Sequence, residues 1–261
     1  MLYGMPTLVE CGDIFETVRV AKKYGLDFIE INMSFPQYQR GRLDASSLRA
    51  LSERCGIGYT IHADEQMNPF DFNPLVSECY FNVMRDTVRT AKEIGAPVIN
   101  LHLERGVYVT LPDKVVLLTD VYFDEYMTRV KKFIEMCEDE IGDSDMIIAI
   151  ENVDTNPFTD SQLKALECFM ASPKFALTLD TGHEDCLGYR DTHVFEKYPE
   201  KLAHMHLHDS NGRKPHLPLG EGSLDIKGKL CGYHGKRCLI EVKTVDGLEK
   251  SVEYLKSNSL M

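Results

Sequence analysis

Short apolar or β-branched runs ending in polar residues alternate along the chain with longer segments of helical spacing. The runs lie at residues 2–7, 28–32, 58–62, 98–103, 146–151, 175–180, 203–207 and 237–242. Apolar residues recurring every three or four positions predict helices over 12–24, 45–55, 74–94, 121–141, 160–171, 192–198 and 247–257, with a weaker one near 224–231. Gly25, Gly56, Gly95, Gly142, Pro173 and Pro199 separate the elements. Eight alternations without a boundary predict parallel strands joined by helical crossovers. In 261 residues that pattern matches one α/β domain, a (β/α)8 TIM barrel over residues 1–261. The competing arrangement is a doubly wound open sheet. No Gly-x-Gly-x-x-Gly follows a strand, so no nucleotide cofactor is expected. The one long irregular stretch, residues 103–120, reads as a lid or binding loop.

Charge narrows the partners. A net charge of −12 disfavours nucleic acid and anionic membranes. Charges interrupt every apolar segment, so no membrane span is expected. The first residues lack a basic stretch followed by an apolar one, which points to the cytoplasm. Eight scattered cysteines form no Cys-x-x-Cys pair and read as reduced, mostly buried thiols.

Barrel chemistry belongs at the C-terminal ends of strands. Here strands two through eight end in Glu30, His62, His102, Glu151, Asp180, His206 and Glu241. Alternation puts Glu151 on one face with Ala149 and Ile147, Asp180 with Thr178 and Ala176, Glu241 with Leu239, and His206 with His204. The opposite faces carry Ile148, Ile150, Leu177, Leu179, Ile240 and Val242, which suit packing against helices. One such end is an ordinary solvated loop residue. Seven in succession would gather carboxylates at a cost that only protons or metals offset. Carboxylate with imidazole is a divalent-metal ligand set.

These residues resemble the xylose isomerase-like TIM-barrel superfamily, which holds sugar isomerases and epimerases and the endonuclease IV branch. The resemblance rests on Ile-Glu-Asn (150–152), Leu-Asp-Thr-Gly-His (179–183), His-Leu-His-Asp (206–209), Leu-Gly-Glu-Gly (219–222) and Leu-Ile-Glu-Val (239–242). It implies one divalent metal (Mn, Zn, Co or Mg) held by Glu151, Asp180, His206 and Glu241. The endonuclease IV branch adds histidines matched by His62 and His102, a candidate second metal site. Its third site needs the histidine matched by His183 and an Asp-x-His pair, which here reads Lys214-Pro215-His216. A protonated lysine repels a cation, so one or two metals are expected.

The resemblance implies an isomerase or epimerase of a sugar or sugar phosphate, with Glu151 and Glu241 as ligands and proton carriers through an enediolate. His183, His208, His216, Arg213 and Lys214 are the candidate substrate contacts. Glu221 reads as a loop-orienting residue, and His193 and His234 as structural or solvated. The alternatives are a zinc-dependent hydrolase of abasic-site DNA, a dehydratase or aldolase using the same metal-enolate chemistry, and a non-catalytic sugar-binding barrel. The reading allows a homo-oligomer.

Overall fold

The structure is a computed structural model that describes residues 1–39 and 41–261. In chain order the elements are β1 (Leu2–Pro6), α1 (Ile14–Tyr24), β2 (Phe28–Asn32), α2 (Ala45–Cys55), β3 (Gly58–His62), α3 (Pro74–Ile94) and β4 (Val98–His102). Then come β5 (Tyr108–Thr110), β6 (Val115–Leu117), α4 (Leu118–Val121), α5 (Phe123–Ile141), β7 (Ile147–Glu151), α6 (Asp160–Ala171) and β8 (Phe175–Asp180). The chain ends with α7 (Thr181–Cys186), α8 (Thr192–Lys197), β9 (Leu202–Leu207), α9 (Ile226–Gly232), β10 (Arg237–Ile240) and α10 (Val245–Ser257).

Eight strands close into a parallel barrel in the order β1-β10-β9-β8-β7-β4-β3-β2. The predicted α/β barrel is therefore the observed one. Local chemistry sets the helix ends. Asp13, Asp44 and Asn73 accept first-turn N–H groups, and Thr159 with Gln162 forms a reciprocal capping box. Gly25, Gly56 and Gly95 close α1, α2 and α3 in the left-handed conformation.

The barrel has two cores. Outward strand residues such as Ile148, Ile150, Leu177 and Ile240 join the main apolar layer beneath the helices. Inside, Val98, Ala149 and Ala176 form a separate small plug with Ile147 and Ala203. Above that plug the interior turns polar, with Thr60, Asn100, Thr178 and His204 fully buried.

Three expectations change, two in the elements and one in the burial of the cysteines. Residues 103–120 are not irregular. They carry the antiparallel hairpin β5–β6 and the short α4. The helix expected over 121–141 is broken at Tyr122 into α4 and α5. In addition α7 follows β8 directly, unforeseen because a six-residue helix shows no apolar period. No disulfide links the eight cysteines, but only Cys11, Cys137 and Cys238 are buried, and Cys79 and Cys231 are exposed. Among the described residues no helix is long and apolar enough to cross a membrane.

Candidate active site

The polar strand ends converge as parallel strands with inward alternation require. Ligand atoms of Glu151, Asp180, His206 and Glu241 all lie within 4.8 Å of one another, and all four residues are buried. His206 Nδ1 is 2.9 Å from Glu241 Oε2 and 3.0 Å from Glu151 Oε1. Neither that Nδ1 nor Glu241 Oε2 makes a hydrogen bond of acceptable direction. Orphaned buried atoms on one carboxylate and one imidazole, in a set of three carboxylates and an imidazole, fit a divalent cation.

Glu151 faces two ways. Its Oε1 belongs to the set just described. Its Oε2 accepts from Asn100 Nδ2 and lies 3.2 Å from His102 Nε2 and 3.5 Å from His62 Nε2. His62, His102 and Glu151 form a second group with ligand spacing. Burial would raise the Glu151 carboxyl, but the imidazoles of His206 and His102 hold it well below the usual carboxylate range. Burial opposes ionisation of Glu241 too, and Lys243 and His206 more than offset it. Burial would lower His62, yet the Glu151 carboxylate lifts it to about 9.

Supporting contacts fix the geometry. Asn152 zips two strand ends together: its Oδ1 accepts the Asp180 N–H and its Nδ2 donates to the Asp180 carbonyl, each at 2.9 Å. Asp180 Oδ1 accepts the His183 N–H at 2.7 Å, capping α7. Beneath the ligand set, Glu30 lies with Oε1 3.0 Å from His206 Nε2 and Oε2 3.0 Å from His204 Nε2, and accepts from Thr60 Oγ1 at 2.8 Å. The sequence pattern places Glu30 among the strand ends, but it stands in the middle of β2, and its place below His206 depends on barrel curvature that one strand does not reveal.

His208 is tied on both sides of its ring. Nδ1 accepts the His216 backbone N–H at 2.8 Å, which fixes the Nε2–H tautomer, and Nε2 lies 2.9 Å from Asp180 Oδ1. His208 thus steadies Asp180. His183 Nδ1–H donates to the Asn152 carbonyl at 3.1 Å, and His216 Nδ1–H donates to the Glu241 carbonyl at 3.2 Å. Their Nε2 atoms then face each other at 3.4 Å. Burial holds His216 down to about 4, so it is neutral. His183, His208 and His216 have ligand spacing, but His208 has no free nitrogen in this arrangement.

Arg213 and Lys214 go elsewhere. Both are exposed, their backbone N–H groups bond Asn211 Oδ1, and neither lines the cavity above the ligands. Glu221 pairs with Lys250 at 3.1 Å. Unforeseen is Lys243, whose Nζ lies 2.7 Å from Glu241 Oε1. It stands two residues past Glu241, so strand parity could have found it. The cavity above the ligands, about 240 Å3, is also lined by Glu65, Glu104 and Asp154. A larger cleft of about 660 Å3 lies on the outer surface near α6 and α8, away from the ligand groups.

A family model described as xylose isomerase-like TIM barrel matches residues 18–258. The Escherichia coli (strain K12) protein SgbU, assigned as an L-ribulose-5-phosphate 3-epimerase, is 25% identical over 93% of this chain and 88% of its own. Among solved structures, a D-tagatose 3-epimerase-like protein superposes with a TM-score of 0.76 at 22% identity, covering 100% of this chain and 98% of that one. The D-allulose 3-epimerase of Methylomonas sp., solved with D-allulose, gives 0.73 at 16% identity over 98% and 96%.

Proposed function

Since the chain belongs to the xylose isomerase-like TIM-barrel family, we propose that it is a divalent-metal-dependent ketose epimerase or isomerase. Glu151, Asp180, His206 and Glu241 would hold the metal. A divalent ion there supplies Lewis-acid polarisation of the substrate carbonyl, which acidifies the neighbouring C–H.

One observation carries the reading. Glu151 and Glu241 each bring an oxygen to about 3 Å of the same His206 nitrogen, at 3.0 and 2.9 Å. Their strands stand three places apart in the eight-stranded ring, so the carboxylates reach that point from well-separated directions. Both are held ionised at neutral pH, the form in which a carboxylate can act as a base. One takes the carbon-bound proton of the sugar, and the other returns a proton to the resulting enediolate. The Nε2 atoms of His183 and His216, turned toward the cavity side, suit hydrogen bonds to substrate hydroxyls. The sugar epimerases among the similar proteins support the reaction class.

Glu151→Gln and Glu241→Gln test this separately. Each variant is expected to lose about 100- to 10,000-fold in epimerisation and in exchange of the substrate C–H with solvent deuterium. Metal titration of the same variants separates a lost ligand from a lost base. Retained activity in either one sinks the two-carboxylate scheme.

A hydrolytic reading, related to the endonuclease IV branch, draws on the second face of Glu151 with His62 and His102. Elemental analysis finding three zinc ions per chain, with cleavage of abasic-site DNA, would favour it. A dehydratase or aldolase would be told apart by its products.

A further inference from the structure

Resting on the ketose reading above, we propose that this cavity takes an unphosphorylated ketose and rejects the phosphate ester of the same sugar. Recognition of a phosphate dianion needs arginine, lysine or a cradle of free backbone N–H groups. Among the described residues, the one cation lining this cavity and the two loops that commonly bind phosphate in TIM barrels are already engaged, and the exposed Arg213 and Lys214 do not line it.

The cations come first. Lys243 is the one lysine or arginine among the described residues lining the cavity, against the carboxylates of Glu65, Glu104, Asp154 and Glu241. Lys243 is itself engaged by Glu241 at 2.7 Å. Arg105, on the neighbouring rim, donates to Asn156 Oδ1 at 2.6 Å and lies over the Tyr108 ring at 4.7 Å.

The backbone cradles are filled too. TIM barrels commonly bind phosphate on the loops after their seventh and eighth barrel strands, here β9 and β10. After β9, the Gly-Glu-Gly loop would make such a cradle, but Asp209 occupies it. Its carboxylate accepts the N–H groups of Gly220, Gly222 and Leu224 at 2.9, 3.0 and 3.0 Å, and that of Ser210 at 2.9 Å. After β10, two first-turn N–H groups of α10 are also taken. Glu10 Oε2 accepts from Val245 at 2.6 Å and Thr244 Oγ1 from Gly247 at 3.0 Å. The chain thus fills both anion positions from within, one with each of two carboxylates.

What remains open suits hydroxyl groups. The side chains of Glu104 and Asp154 accept no hydrogen bond from any described residue, so both are free for the O–H donors of a polyol. A volume of about 240 Å3 fits a small sugar. A dianion brought beside these carboxylates would meet like charge in a partly desolvated site, where the penalty is large.

The test compares a ketose with its own phosphate ester, L-ribulose with L-ribulose 5-phosphate and D-fructose with D-fructose 6-phosphate, on the metal-loaded full chain. Calorimetric affinity and turnover are read in parallel. The expected result is a preference of at least about tenfold for the free sugar in both readouts. The gap should narrow as ionic strength rises from about 0.02 to 0.5 M. It should also shrink in a Glu104→Gln, Asp154→Asn double variant. Equal or tighter binding and turnover of the esters overturns this inference while leaving the epimerase reading intact. Failure of both members of every pair to bind would remove the epimerase reading and this inference with it.

Discussion

At the residue scale, the informative group is one that need not touch metal or substrate. Glu30 is fully buried, and the imidazoles of His206 and His204 hold its carboxyl far below the usual range against the opposing effect of burial. Its Oε1 lies 3.0 Å from His206 Nε2 and sets a negative charge behind the ring, whose Nδ1 faces Glu151 and Glu241. Partners of this kind usually tune ligand affinity 10- to 100-fold. Glu30→Gln keeps the shape and removes the charge, so Mn2+ affinity by calorimetry should fall by about that factor. Unchanged affinity in a folded variant would leave Glu30 a packing role alone. That Glu151, Asp180, His206 and Glu241 converge was legible because strand ends and parity are one-strand properties. Glu30's vertical relation to His206 was not, because it links the second and seventh barrel strands across the interior. The position of Arg213 and Lys214 outside the cavity lining was not legible for a related reason: a cation in a loop carries no signal of which way the loop turns.

At the element scale, the turn from β8 into α7 holds the site's tightest backbone approach. A Cβ on Gly182 would stand 2.0 Å from His208 Cε1, so any side chain there must move a ring that steadies Asp180. Gly182→Ala is therefore expected to cost about 1–3 kcal/mol of stability by overpacking. Chemical denaturation measures that loss, and metal titration should show weakened binding alongside it. An alanine variant with wild-type stability and affinity would mean that His208 relaxes freely. Long amphipathic elements such as α3 were readable to the residue, because cap and period agree. The α7 turn was not, since its form is dictated by Asp180 bonding the His183 N–H rather than by an apolar stripe. The hairpin left a trace: Val-Tyr-Val-Thr and Val-Val-Leu flank a turn containing Pro112 and Asp113, but a long loop was the simpler reading.

At the scale of the whole molecule, the barrel closes without residues 103–122. Strand β4 pairs directly with β7, from Val98 opposite Ile147 to His102 opposite Glu151. The β5–β6 hairpin pairs only with itself, and residues 111–115 at its tip are exposed. Its base is tethered where Gln162 Nε2 donates to the Leu103 carbonyl and Ser161 to Thr119, both on the barrel side of the tip. The chain can therefore be regarded as two pieces, meeting at one exposed peptide bond, that contribute four barrel strands each. A version severed between Pro112 and Asp113, with both halves co-expressed, should reassemble into one particle, because the cut removes no barrel hydrogen bond. Copurification of the halves and recovery of metal binding would register it, and halves that never associate would show that continuity through the tip is required. The four candidate ligands Glu151, Asp180, His206 and Glu241 lie in the second half, whereas Glu30, His62 and His102 lie in the first, so complementation would also report separately on what each half brings to the candidate centre.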